Sequence, residues 1–277
     1  MFSFFNKKPL IEEEISNWII LAFEWALKNY GSDVFHNETI LVTPSSKHFP
    51  EKLSSPDEMV TYTFEQVRKY AGMENWPCKL QAQEDDINPV VAPTIVLKGA
   101  PSGPGGTFQY SDEAVITYNT NLINRPEPLA ATFAHELAHY LSGIAKEPPP
   151  GGEEYWEHAT DLTAIFLGFG IFLANSAFTF EQFTSVDSQG WSSSRQGYMT
   201  EQEILYSLAL FCVLKNIEIS EVIPYLDSHL RGFFKKCYKE LQGSEHISKL
   251  HKINVTQEQL SSNNSIQQTP ENGAADG

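Results

Sequence analysis

The sequence predicts an α+β protein that is predominantly helical, with a short sheet beside one of its helices. Three observations carry this: apolar residues recur at spacings of three and four over several long windows, β-type runs are few and short, and Gly/Pro clusters separate the two kinds of segment. With 277 residues, 41% of them hydrophobic and 19% charged, the chain is long enough to bury a sizeable core in one large or two modest domains. No internal repeat of roughly 20 to 50 residues is present, so solenoids and propellers drop out.

The elements follow in order. Over residues 11–30, Ile15, Trp18, Ile19, Ala22, Phe23, Ala26 and Leu27 form an amphipathic stripe that ends at Gly31. Residues 39–43 (TILVT) are a β-branched run before Pro44, and Pro56 opens a second helix over 57–70 that stops before Gly72. Residues 78–83 and 94–98 read as extended. The turn-rich GAPSGPGG at 99–106 leads into Ala114-Val115-Ile116-Thr117-Tyr118, an expected strand. From Asn124 the texture turns helical: Asn124 and Glu127 have capping-box spacing, Pro126 and Pro128 fit a first turn, and Gly143 closes a helix over 125–142. A second long helix is expected over about 153–176 after the breaker PPPGG at 148–152, and Thr200 with Glu203 caps a third. Shorter helices fill 218–241. Beyond His251 the chain is rich in Gln, Asn and Ser, with too few large apolar groups to offset the entropy of ordering. The organisation expected is an N-terminal α+β region (1–110), a helical region carrying the chemistry (111–250) and a disordered tail (251–277).

Composition narrows the function. Acidic residues outnumber basic ones 35 to 19, a formal charge of −16, so a nucleic-acid partner is not expected, because phosphate backbones are bound by clustered Lys and Arg. Cys78, Cys212 and Cys237 are odd in number and far apart, which suits neither a disulfide framework nor a Cys-rich zinc site and points to a reducing cytoplasm. In MFSFFNKKPLIEEE, Lys7 and Lys8 follow the apolar residues instead of preceding them, so a signal peptide is not expected. Residues 162–180 (LTAIFLGFGIFLANSAFTF) hold no charge for 19 residues, the lower length limit of a membrane span. They carry Gly168, Gly170, Asn175 and Ser176, with no Lys or Arg at either edge to anchor them, so a buried core helix and no membrane partner are expected.

His135-Glu136-Leu137-Ala138-His139 is an HExxH sequence inside the helix expected over 125–142. Residues four apart share a helical face, so both imidazoles can address one ion, while Glu136, about 100° round the helix, can reach a water on that ion. Phe133, Leu137 and Tyr140 or Leu141 supply an apolar rear face. A catalytic zinc takes three protein ligands and keeps one position for water. Candidates for the third ligand stand at the start of the next helix: Glu153, Glu154, Glu157, His158 and Asp161. Glu157 and Asp161 lie four apart on an otherwise apolar, core-going helix, where charges need partners.

HExxH followed by ExxxD on the next helix resembles the gluzincin zinc metallopeptidases, the broad group that includes thermolysin-like and CAAX-processing-type enzymes. The resemblance covers roughly residues 110–175. It implies a zincin-like core with one Zn2+ per chain held by His135, His139 and Glu157, Glu136 as general base, and Asp161 as the carboxylate that takes a hydrogen bond from a ligand imidazole, here His135. It also implies that residues 114–118 form an edge strand on which an extended peptide lies. His158 stays the rival third ligand, since imidazole serves zinc equally well.

In Trp191-Ser-Ser-Ser-Arg195-Gln196-Gly197-Tyr198, Arg195 and Tyr198 are candidate catalytic donors to the oxyanion of a peptidase intermediate. Pairing of Arg195 with a core carboxylate, and a bystander role for Tyr198 ahead of the Thr200 cap, stand beside that assignment. GAPSGPGG lacks the Gly-Lys-Ser/Thr ending of a phosphate loop and reads as a cleft rim or a surface turn. The expected function is a zinc-dependent hydrolase cutting peptide bonds in a peptide or protein substrate. Its rivals are a zincin-like module that binds such a partner without turnover, and a membrane-embedded metallopeptidase with 162–180 as its span.

Overall fold

The computed structural model describes residues 9–51, 53, 55–82, 114–184 and 199–256. Helix α1 (Glu13–Tyr30) turns Ile19, Ala22, Phe23, Ala26 and Leu27 into the core and hands over to α2 (Ser32–Asn37) through Gly31 at φ 97°, a conformation that favours glycine. Residues 39–43 form no strand. Their backbone groups are satisfied otherwise: the Val42 N–H donates to the Gly168 carbonyl at 2.9 Å, and the Thr43 N–H donates to His48 Nδ1 at 3.0 Å. Helix α3 (Pro56–Tyr70) starts with proline at its first position and leads to β1 (Cys78–Ala82), which pairs in parallel with β2 (Ala114–Tyr118), Cys78 opposite Ala114. Residues 94–98 and 99–106 lie outside the described residues.

Helix α4 (Pro126–Ser142) is the centre of the molecule. It packs against α3, β2, α5 and α6, and every residue from Leu129 to Ala138 is buried, the condition of a helix covered on all sides. Phe133 meets Phe64 of α3 and Tyr118 of β2, and Tyr140 packs edge-on against Trp76. The capping box expected at Asn124 is not formed. The cap position falls on Arg125 without a side-chain bond, and the Glu127 carboxylate instead accepts from Asn175 Nδ2 at 2.9 Å. A partner 48 residues away has taken over the local cap.

The long helix expected over 153–176 is broken. A 3₁₀ turn (Glu153–Tyr155) leads into α5 (Trp156–Ala164), then a π-type turn (Ile165–Phe169), then α6 (Gly170–Thr184). The break centres on Gly168 at φ 99°, where a Cβ would run into the carbonyl oxygen of Ile40. Residues 39–43 therefore seat in the kink. By length and composition Glu153–Ala177 is the one stretch among the described residues that is apolar enough to cross a membrane, and 94% of its most apolar window is buried inside the protein.

Helix α7 (Glu201–Leu214) starts with the capping box expected at Thr200: the Thr200 N–H donates to Glu203 Oε2 at 2.7 Å and the Glu203 N–H to Thr200 Oγ1 at 3.4 Å. Helices α8 (Ile219–Val222), α9 (Arg231–Leu241) and α10 (Glu245–Leu250) follow, with α9 laid along α7. Residues 251–256 are tied to α2, where the Val255 carbonyl accepts from the Ser32 N–H at 3.0 Å and the His251 ring stacks on His36. One hydrophobic core runs from α1 to α10. The chain is thus predominantly helical, with a two-stranded parallel sheet beside α4 among the described residues, the fold class the sequence predicts.

Candidate metal centre

The site is built by α4 and the first turns of α5. His135 and His139 lie one turn apart on α4 with ring centroids 4.7 Å apart, and α5 crosses so that Glu157 meets both. Glu157 Oε2 stands 3.4 Å from His139 Nε2 and 3.6 Å from His135 Nε2. Ligand bonds of about 2.0–2.1 Å to a tetrahedral ion place neighbouring donor atoms about 3.3–3.4 Å apart. One donor atom from each of His135, His139 and Glu157 lies within 4.8 Å of the others, so the three can hold a metal ion. Glu157, with a side chain 42% exposed, opens the group to solvent, whereas His135 is closed in.

Hydrogen bonds turn both imidazoles the same way. His135 Nδ1 donates to Asp161 Oδ1 at 2.8 Å, and Asp161 Oδ2 is held in turn by the backbone N–H of Met199 at 2.8 Å. His139 Nδ1 lies 3.3 Å from Thr160 Oγ1, whose own proton goes to the Trp156 carbonyl at 2.9 Å, so the hydroxyl accepts from the ring. With both Nδ1 atoms donating, both Nε2 atoms face Glu157, the orientation metal-ligating imidazoles need once Nε2 is free of its proton.

The charges are strongly coupled. Burial acts to lower the His135 imidazole, but Asp161, then Glu157 and Glu136, outweigh it and hold it well above the ordinary imidazole range. For Glu157, burial acts upward and the two imidazoles outweigh it, holding the carboxyl well below the usual carboxylate range. Glu136 is fully buried, and neither carboxylate oxygen has a hydrogen-bond partner among the described residues. Burial raises its carboxyl, His135 and His139 act to lower it and Glu157 to raise it, so it lies within the electrostatic reach of the same three side chains. A buried carboxylate without a donor is costly unless a cation or a bound water serves it. This donor set of two imidazoles and a carboxylate, with a spare carboxylate alongside, fits a divalent ion of the zinc type.

Of the residues singled out in the sequence, the fold brings together His135, Glu136, His139, Glu157 and Asp161. It turns His158 away. That ring sits edge-on to Trp18 at 6.0 Å and 5.8 Å from Tyr155, on the side of α5 that faces α1. Arg195 and Tyr198 lie outside the described residues. Thr160 and the Met199 N–H were not anticipated. Thr160 was open to detection, as a hydroxyl next to Asp161 on the helix that carries Glu157, whereas a backbone donor 38 residues from Asp161 leaves no trace in composition or spacing. Comparisons with protein-family models, with curated proteins and with solved structures return no match. The gluzincin resemblance is carried by the HExxH and ExxxD residues alone.

Proposed function

We propose that the protein is a zinc-dependent hydrolase acting on peptide bonds, with His135, His139 and Glu157 as ligands and Glu136 as general base. The observation that carries this reading is the fully buried Glu136 carboxylate, without a hydrogen-bond partner among the described residues, one residue along α4 from His135 in a group of three converging donor atoms. A structural zinc site closes its shell with four protein ligands, whereas three ligands plus an unused carboxylate is the composition of a hydrolytic one. Bound zinc supplies a Lewis acid for the scissile carbonyl and a water of lowered pKa. With such a group bound, Glu136 would serve as the general base, accepting and returning a proton at its carboxylate, and its burial, which raises the carboxyl, makes it a stronger base than a solvated glutamate. Asp161 keeps the His135 lone pair on the ligand side and Thr160 does the same for His139. Three free cysteines, two of them buried, support a reducing, cytoplasmic setting.

The test is Glu136→Gln with zinc content and turnover measured on one preparation against a broad peptide library. The amide fills nearly the same volume but accepts no proton, so zinc should stay while turnover falls by about 10²- to 10⁴-fold or more. Full activity in the variant removes Glu136 from the mechanism. A wild type that holds zinc and cleaves nothing in the library turns the reading to a peptide-binding module.

A further inference from the structure

The candidate metal centre depends on the connection between α4 and α5, whose own bonds are local turns, the Gly152 N–H donating to the Pro149 carbonyl at 2.9 Å and the Tyr155 N–H to the Gly152 carbonyl at 3.1 Å. Between α4 and α5 the chain runs through Pro148, Pro149 and Pro150, which offer no backbone donors, and then through Gly151 at φ 92° and Gly152 at φ 89°. Glu157 follows five residues later. A shift of this segment moves the third ligand relative to the two on α4, and a working site holds its groups to within about 0.5 Å.

Helix α1 grips that segment at three main-chain atoms. Trp18 Nε1 donates to the Pro150 carbonyl at 2.7 Å, Trp25 Nε1 donates to the Glu147 carbonyl at 2.9 Å, and Asn29 Oδ1 accepts from the Lys146 N–H at 3.0 Å. Spacings of seven and four place the three side chains on one stripe of α1. The rings continue the contact into the ligand helix. Trp18 stacks on Tyr155 at 5.6 Å and meets His158 edge-on, and Trp25 meets Trp156, the first residue of α5, at 6.0 Å. Asn29 is itself fixed, its Nδ2 donating to the Trp25 carbonyl at 2.9 Å.

We infer that Trp18, Trp25 and Asn29 are positioning residues for the metal centre, bracing the α4–α5 connection so that Glu157 meets His135 and His139. The inference rests on the metal-centre reading above. It gives the N-terminal helix a part in the chemistry that no spacing in the sequence announces: its three bonds go to Pro150, Glu147 and Lys146, not to His135, His139 or Glu157, yet they set the distance between the two helices that carry those side chains. It also accounts for His158, whose imidazole belongs to the brace and not to the ion.

The experiment uses the full chain. Trp18→Phe, Trp25→Phe and the double variant keep an aromatic ring but lose the indole donors, and Phe234→Leu, in the core of α9, serves as a destabilised control remote from the site. Zinc affinity is measured by chelator competition, cobalt-substituted absorption reports ligand geometry, and thermal unfolding of the metal-free chains reports stability. The double variant should bind zinc roughly 10-fold or more weakly, the scale typical of supporting partners around a metal, with an altered cobalt spectrum. Phe234→Leu should lower the melting temperature and leave affinity and spectrum unchanged. A folded double variant with wild-type affinity and spectrum overturns the inference, as does an affinity loss that merely tracks stability and appears equally in Phe234→Leu. Should the double variant not fold, the single variants are judged by the same two readouts. A wild type that takes up no zinc overturns the metal-centre reading itself, whereas wild-type binding with unaffected tryptophan variants overturns the brace alone.

Discussion

His135 in the metal centre and His48 in the turn beside Tyr70 are each 2% exposed, and they are prepared for opposite tasks. His48 Nδ1 accepts the Thr43 N–H at 3.0 Å, which leaves the ring proton on Nε2 and makes the imidazole a neutral clamp for the 43–48 turn. Burial and the nearby Lys47 hold it below the ordinary imidazole range. His135 donates from Nδ1 to Asp161, so its Nε2 is turned toward Glu157, and the surrounding carboxylates hold it above that range. Burial is the same in both. The partner on Nδ1 decides whether a buried histidine offers a lone pair or withholds it.

Four predictions follow from that contrast, beginning with the largest effect. His135→Ala should abolish zinc uptake, whereas His48→Ala should leave one zinc per chain, as judged by metal analysis of the purified variants; undiminished metal in His135→Ala breaks the comparison outright. Asp161→Asn removes the carboxylate from His135 Nδ1 and should weaken zinc binding by about 10- to 100-fold in chelator competition. Glu127→Gln, at a carboxylate paired with Asn175, should leave zinc affinity unchanged.

The pH dependence sharpens the electrostatic half. Because Asp161, Glu157 and Glu136 favour the protonated His135 in the metal-free protein, a zinc ion taken up at Nε2 would displace that proton at neutral pH. Affinity should therefore rise with pH and fall as pH drops, by about tenfold per unit for one displaced proton, and level off only above the raised His135 value. Calorimetric titrations in two buffers of different ionisation enthalpy count the proton, and a heat independent of buffer at neutral pH contradicts the assignment. The smallest effect belongs to the segment of His48. Gly168→Ala places a Cβ against the Ile40 carbonyl in a left-handed backbone, so it should cost roughly 1–3 kcal/mol in denaturant unfolding and leave zinc affinity of the folded protein intact.

Much of the site was legible because its parts are local. HExxH and ExxxD are each set by the pitch of one helix, so sequence spacing alone places His135 with His139 and Glu157 with Asp161. The Thr200 cap was legible for the same reason, its donor and acceptor lying three residues apart. The capping box at Asn124 failed because Asn175, distant in sequence, competes for Glu127, and the β-branched run 39–43 pairs with no strand because its backbone N–H groups go to Val34, Gly168 and His48.

By itself, then, the sequence determined the fold class, most of the longer helices and the HExxH and ExxxD spacings, since these depend on periodicity and on contacts within a turn or two. The tertiary structure decided which acidic helix face meets α4, that Glu157 and not His158 faces the histidines, where the long apolar helix breaks, and how α1 grips the connection between the ligand helices. Each of these depends on which distant groups satisfy a buried carbonyl, N–H or charge, and that competition is settled only when the whole core is packed.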